Sequence, residues 1–92
     1  MTVIHLNTDH GTRPDRAEGA TVQVRAMRAA FAELGEEVVA VDKYEQVQVR
    51  EALEVALPLG GGGLLYERFA LHSYTGSDFA RERGLAHVLE VN

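Results

Sequence analysis

Four short apolar runs, separated by segments long enough to form helices, constrain the fold of this chain more than any other feature of its sequence. The runs cover residues 3–6, 37–41, 64–69 and 87–91. Each has strand length and is rich in aliphatic or β-branched residues. Strands that alternate with helices form parallel sheets, because parallel neighbours need crossover connections. The sequence therefore predicts an α/β fold, a Rossmann-like three-layer sandwich of about four parallel strands in the order 2-1-3-4 with three helices.

Three segments between these runs show the apolar spacing of amphipathic helices, at residues 21–34, 45–57 and 71–83. Glycine follows the first and third segments, and proline follows the second, as is common after helix ends. The residues at helical spacing are Val24, Met27, Phe31 and Leu34 in the first segment, Val49, Leu53 and Ala56 or Leu57 in the second, and Leu71, Tyr74, Thr75, Asp78 and Phe79 in the third.

Length and composition indicate a single domain over residues 1–92. The chain is 46% hydrophobic and contains no cysteine, so one modest core stabilises it without disulfides or zinc–thiolate sites. Four glycines at 60–63 give residues 58–63 the composition of a flexible connector, or of a shortened insertion. A phosphate-binding glycine loop opens a helix, whereas this run leads into an expected strand.

Charge and hydropathy exclude several classes of function. Nine basic residues against fourteen acidic ones give a formal charge of −5, which argues against a nucleic-acid partner. No apolar run has the ~20 residues of a transmembrane segment, and the first residues lack the features of a signal peptide. We therefore expect a cytoplasmic chain. The sequence shows no histidine pair at helical metal spacing and no nucleophile elbow, and we assign no metal, cofactor or catalytic residue.

Polar residues follow the strands, and ligands of open α/β sheets bind outside the carboxyl ends of the strands. The long first loop leads to Gly19, Ala20 and Thr21, where the start of a helix suits an anion. Arg13 and Arg16 can add contacts to phosphate or carboxylate. The alternative is that Gly19 only permits the turn and the arginines are solvated. In the same loop, His10 is the best histidine candidate for a site.

Tyr66, Glu67 and Arg68 end the third strand, and Glu90 and Asn92 end the fourth. Carboxylates accept hydroxyl hydrogen bonds, guanidinium groups hold phosphate, and tyrosine offers an aromatic face, so these residues suit a hydroxylated ligand. The alternative is that Glu67 and Arg68 point to opposite faces and meet only water. His5 is expected to be packed and hydrogen-bonded in its strand. Asp42 ends the second strand, where a ribose-binding acid would lie, but by itself it is only a weak indication of ribose binding.

These segments resemble a known family. Residues 4–8, the loop at 11–16 with its Gly19-Ala20 helix start, Tyr66-Glu67-Arg68-Phe69 and the closing residues 85–92 resemble the amino-terminal lobe of family 4 glycosyltransferases, which have the GT-B fold. The resemblance covers most of the chain in the same order. It implies retaining transfer from a nucleotide-sugar to a hydroxylated acceptor, with residues 19–21 facing the donor phosphates and Glu67, Arg68, Glu90 and Asn92 lining the cleft.

The chain departs from that family in three ways. Gln23 stands where many members carry a histidine, the segment before Tyr66 is much shorter, and the donor-binding lobe is missing. We therefore expect a truncated lobe that is inactive alone. The alternative hypothesis is a non-catalytic α/β module that binds a partner or forms a homo-oligomer through the edge of the last strand, where Val88, Leu89 and Val91 lack a neighbouring strand.

Overall fold

The computed structural model describes residues 1–9, 19–57 and 62–91, with the backbone alone at 19 and 20. Strands and helices alternate through the whole of this part of the chain, as predicted. The elements are β1 (Thr2–Asn7), α1 (Gly19–Glu33), β2 (Glu37–Asp42), α2 (Gln46–Ala56), β3 (Gly63–Arg68), α3 (Thr75–Arg83) and β4 (Ala86–Glu90).

The four strands form one parallel sheet in the order β2-β1-β3-β4, which confirms the predicted fold class and strand order. The register aligns the strand ends: Asn7 lies opposite Asp42 on one side and Arg68 on the other. Arg68 in turn lies opposite Glu90. The carboxyl ends of all four strands therefore meet at one edge of the sheet, called the carboxyl edge below.

The helices divide between the two faces of the sheet. Helices α2 and α3 cover one face, and α1 packs on the other, over β1 and β2. We call these the α2/α3 face and the α1 face. Right-handed crossovers require this division, because the chain moves across the sheet in one direction through α1 and in the other through α2 and α3. The core on the α2/α3 face consists of Ile4, Leu6, Val41, Val49, Leu53, Leu57, Leu65, Phe79 and Ala80.

Two apolar residues expected at helical spacing lie outside the third helix. Helix α3 begins at Thr75, four residues later than the spacing predicted, because residues 70–73 form a turn. In this turn the Ser73 N–H donates to the Ala70 carbonyl at 3.1 Å, and His72 has a left-handed φ of 67°. Leu71 and Tyr74 are consequently exposed rather than packed in the core.

The end of the first helix also differs from the prediction. Helix α1 ends at Glu33, and Leu34 lies beyond it with 76% of its surface exposed. The chain turns away from the sheet at Gly35, which has a left-handed φ of 84° that glycine adopts without strain. Val24 is buried and Met27 and Phe31 are half-buried, so the rest of the predicted stripe faces the sheet.

The start of α3 is capped by a side chain of another helix. Tyr74, at the capping position, makes no side-chain hydrogen bond to the helix. Instead Gln46 of α2 accepts three hydrogen bonds at Oε1, from the Tyr74 N–H at 3.2 Å, the Thr75 N–H at 3.0 Å and the Thr75 hydroxyl at 2.6 Å. Two donors that a helix start usually leaves unsatisfied are thus bonded within the fold.

The last of the four glycines belongs to β3 rather than to the predicted connector. A Cβ atom on Gly63 would lie 2.6 Å from the Thr2 carbonyl oxygen of the neighbouring strand. Because that contact is with backbone, a side chain here would force β1 and β3 apart. Of the other connector residues, Gly62 precedes the strand and 58–61 lie outside the described residues.

Candidate functional site

The carboxyl edge brings together most of the described residues predicted for a ligand site. Register places Arg68 and Glu90 side by side there, and α1 begins at this edge because it follows β1. His10, Arg13, Arg16 and Asn92 lie outside the described residues. The described part of the predicted site therefore consists of the start of α1 and the ends of β3 and β4.

On the α1 face, Tyr66, Arg68 and Glu90 form a hydrogen-bonded cluster, called the Glu90 cluster below. The Tyr66 hydroxyl donates to Oε2 of Glu90 at 2.6 Å, and Arg68 donates to Oε1 at 3.1 Å. Burial, helped by the hydrogen bond to Glu90, raises the pKa of Tyr66 to about 12, so this phenol remains a donor. Both oxygens of the Glu90 carboxylate are therefore held in a fixed orientation.

Arg68 is the buried cation of this cluster. Only 8% of the surface of Arg68 is exposed to solvent. A guanidinium carries five N–H donors, and in the described part of the chain Arg68 makes one hydrogen bond, to Glu90. A cation this buried with further donors available is suited to an anionic or hydroxylated ligand.

Behind the cluster, Arg28 of α1 ties the helix to two strands. It forms a bidentate pair with Asp42 of β2 at 2.9 and 2.8 Å. Its Nε donates to Nδ1 of His5 at 3.1 Å, and its second terminal nitrogen donates to the His5 carbonyl at 3.3 Å. These contacts account for the position of Asp42 without a ribose ligand.

His5 is packed and hydrogen-bonded in its strand, as predicted. It is 1% exposed, and its ring stacks on Tyr66 with 5.3 Å between ring centroids. Burial, together with the positive charge of Arg28, lowers the pKa of His5 to about 4. Nδ1 accepts from Arg28, so the proton of the neutral ring is on Nε2.

Glu67 lies on the opposite face of the sheet from Arg68, as their alternation along β3 implies. Its Oε1 lies 2.9 Å from Nε2 of His87 on β4. Glu67 is 3% exposed, and burial raises the pKa of its carboxyl group, an effect that His87 opposes. The predicted cleft residues thus fall into two clusters separated by the sheet.

The neighbour of Glu67 on α3 is a glycine. A Cβ atom on Gly76 would lie 2.5 Å from Oε1 of Glu67 and 2.9 Å from Cδ2 of Leu6. The first turn of α3 therefore approaches the carboxyl group closely only because residue 76 has no side chain. His87 becomes recognisable as the partner of Glu67 only once the strand register places it beside Leu65.

The end of β1 contributes a buried hydroxyl group at the carboxyl edge. Thr8 is 4% exposed, and its Oγ1 has no hydrogen-bond partner among the described residues. Thr21, in the first turn of α1, is also buried, but unlike Thr8 it has an interaction partner. Leaving a buried hydroxyl unsatisfied costs about 1–3 kcal/mol, whereas polar groups at a binding site are completed by their ligand.

Metal ligation and membrane insertion find no support in residues 1–9, 19–57 and 62–91. This part of the chain contains no group of three or more histidine, aspartate or glutamate side chains placed to hold a metal ion. None of its helices is both long and apolar enough to cross a bilayer.

No family model, curated protein or solved structure matches the chain. The resemblance to family 4 glycosyltransferases therefore stays a prediction.

Proposed function

We propose that this chain is the acceptor-side lobe of a retaining, nucleotide-sugar-dependent glycosyltransferase, and that it binds substrates rather than carrying the full reaction. One observation supports this most: the Glu90 cluster and the start of α1 occupy the same edge of a parallel 2-1-3-4 sheet. Open α/β sheets bind ligands at that edge. The resemblance in sequence supplies the reaction, which is displacement at the anomeric carbon with retained configuration.

The proposal divides the site into a donor side and an acceptor side. At the start of α1, backbone N–H groups and the helix dipole favour phosphate, so Gly19, Ala20 and Thr21 approach the donor. Arg13 and Arg16 would add positive charge there. On the acceptor side, hydroxyl groups bind the Glu90 cluster. The proposal adds His10 and Asn92 to the acceptor side but leaves out Glu67, because it is paired with His87 on the opposite face of the sheet.

Transfer itself is not assigned to any residue of this chain. The start of α1 and the Glu90 cluster bind and orient, and neither supplies a nucleophile or a proton-transfer group to the anomeric carbon. We propose the cytoplasm as the location. Disulfides are typical of exported proteins, and this chain has no cysteine.

A nucleotide-sugar titration followed by backbone NMR shifts tests the whole site, because in the proposal the transferred sugar lies between the start of α1 and the Glu90 cluster. With UDP-glucose as the probe, we expect weak binding, with shifts at residues 19–21, 66–68 and 90. Replacing Arg68 with methionine removes charge-assisted hydrogen bonds and should weaken binding about tenfold or more. Arg81→Met is the matched control, because Arg81 is exposed on α3 and, among the described residues, forms its ion pair with Asp78.

The outcomes of this titration separate binding from loss of fold. Arg68→Met must keep the wild-type dispersion of amide signals for its effect on affinity to count. Shifts confined to other parts of the sheet, or equal affinity in wild type and a folded Arg68→Met variant, would contradict the proposed site. Equal weakening by Arg81→Met would show that UDP-glucose responds only to net charge.

A second candidate function is self-association through β4, and a specific observation favours it. β4 is the last strand of the sheet, and its side chains at Val88 and Leu89 are 43% and 46% exposed. The strand contains no proline or lysine, which commonly protect sheet edges from pairing. Its one acidic side chain, Glu90, is paired with Arg68, so the strand adds no uncompensated charge at the edge.

Sedimentation over a range of protein concentrations tests self-association. We expect weak dimerisation of the wild type and a loss of at least tenfold in association constant for Leu89→Lys, because a lysine at the edge opposes strand pairing. Val55→Lys is the matched control. Val55 is 81% exposed on α2 and lies beside β2, which is at the opposite edge of the sheet from β4. A wild type that stays monomeric at every concentration would rule out this candidate.

A further inference from the structure

A groove of about 410 Å³ runs between α1 and the end of β4 on the α1 face. Its volume falls within the ~300–1,000 Å³ typical of small-molecule sites. It is lined by Gln23, Ala26, Met27, Ala30 and Glu90. Four of these residues come from one side of α1, and Glu90 connects the groove to the cluster of the proposed acceptor site.

The groove exists because α1 covers only part of its face of the sheet. The helix packs over β1 and β2. It also reaches β3 through Phe31, whose ring meets the Tyr66 ring edge-on with 5.4 Å between the ring centroids. Two alanines on the β4 side of α1 leave room beside the helix. Val88 of β4, on the same face as Glu90, is 43% exposed there.

The groove is polar at one end and apolar along the rest. Gln23 is near the start of α1 and Glu90 ends β4, so both lie towards the carboxyl edge. Ala26, Met27 and Ala30 continue away from that edge. Residues 23–30 of a helix span about 10 Å at ~1.5 Å per residue. Methionine adapts its shape to different apolar ligands.

The Glu90 carboxylate at the polar end is held in place before any ligand arrives. The Tyr66 hydroxyl and the Arg68 guanidinium each donate to one of its two oxygens. The side-chain amide of Gln23 offers both donors and an acceptor, and Gln23 is exposed. A hydroxylated group placed here would lie within the proposed acceptor site, with an apolar group continuing down the groove.

We propose that this groove binds the apolar part of an amphipathic acceptor, whose hydroxylated head lies at Gln23 and Glu90. The inference rests on the proposed function, which makes this ligand the acceptor. It adds the chemical class of the acceptor: a hydroxylated head carrying an alkyl or similar apolar chain. Because the head lies at the carboxyl edge, near the start of α1, its hydroxyl groups face the donor side. The apolar chain is bound along Ala26, Met27 and Ala30 and takes no part in transfer.

Two glucosides that share a head distinguish this site from simple sugar binding. We would titrate the full chain with octyl β-glucoside, below the concentration at which it forms micelles, and with methyl β-glucoside. We expect octyl β-glucoside to shift amide signals at residues 23–30 and 88–90 and to bind at least tenfold more tightly. Equal affinity for the two glucosides, or octyl-dependent shifts only at other exposed apolar residues such as Val47 and Val55, would overturn the proposal.

A pair of tryptophan substitutions on the same helix provides the matched test. Ala26 is exposed and lines the groove, so Ala26→Trp should fill it without disturbing the core and weaken octyl β-glucoside binding at least tenfold. Ala29 is exposed on α1 but does not line the groove, so Ala29→Trp should bind like wild type. Wild-type affinity in a folded Ala26→Trp variant, or equal loss in both variants, would overturn the assignment.

The same variants separate this inference from the proposed function. Ala26→Trp leaves the start of α1 and Arg68 unchanged, so its response to UDP-glucose should match wild type. If UDP-glucose shifts residues 19–21 and 66–68 but octyl β-glucoside does not bind the groove, only the amphipathic acceptor is wrong. If octyl β-glucoside binds as described and UDP-glucose fails, the groove stands as an amphiphile site and the glycosyltransferase proposal falls.

Discussion

Arg28→Met is expected to lower the free energy of unfolding by about 3 kcal/mol, because breaking a largely buried ion pair leaves an uncompensated charge. Asp42 would keep its carboxylate, 80% buried, without its bidentate partner. His5 would lose the donor to Nδ1 and one hydrogen bond to its carbonyl oxygen. A domain of this length has a total stability of only roughly 5–14 kcal/mol, so the loss should be plain in urea denaturation.

Arg50→Met is the matched control for this substitution. Arg50 makes a bidentate pair with Glu82 at 2.7 and 3.0 Å, close to the geometry of Arg28 with Asp42, but on the protein surface. Exposed pairs contribute about 0–1 kcal/mol, so this variant should stay near wild-type stability. Similar losses in the two variants, or a loss below about 1 kcal/mol for Arg28→Met, would show that the Arg28 contacts do not hold α1 to the sheet.

Acidification from pH 6.5 to pH 4 is expected to cost about 3 kcal/mol of stability through His5 alone. In the unfolded chain His5 takes up a proton near its ordinary pKa of 6.5, whereas in the folded chain its pKa is about 4. The unfolded state therefore binds more protons in this range, so stability decreases as the pH is lowered from 6.5 to 4. A difference of about 2.5 pH units corresponds to about 3 kcal/mol.

Denaturation curves of wild type and His5→Gln at several pH values measure this contribution. The glutamine oxygen can still accept from Arg28 but does not titrate, so the stability of the variant should fall about 3 kcal/mol less between pH 6.5 and 4. His72→Gln, at an exposed position, should keep the wild-type slope. The raised pKa of Glu67 acts in the opposite direction and is common to all three proteins. Parallel slopes for wild type and His5→Gln would contradict the burial of a neutral His5.

The strands and their order could be predicted because their apolar runs are short, separate and joined by helix-length segments. The start of α3 could not, since Leu71 and Tyr74 continue the helical spacing into a segment that forms a turn. A left-handed turn position is usually marked by glycine or asparagine, and here it holds His72. Nothing in the local sequence therefore signals the break.

The site was predicted in outline, and its partnerships were not. Alternation along β3 places Glu67 and Arg68 on opposite faces, but pairing Arg68 with Glu90 and Glu67 with His87 requires the strand register. Arg28 was missed for a different reason. It lies off the apolar stripe of α1, where a charged residue normally meets solvent, and only the carboxylate at the end of β2 explains why it turns inward.

The bridge made by Gln46 has a consequence for how the molecule fluctuates. Helices ordinarily fray at their first turn, independently of their neighbours. Here the amides of Tyr74 and Thr75 become free for exchange only when the Gln46 side chain of α2 moves away, so exchange at the start of α3 depends on a residue of α2. The two faces of the sheet are therefore held differently: a helix-to-helix hydrogen bond joins α2 and α3 on one face, and Arg28 joins α1 directly to the strands on the other.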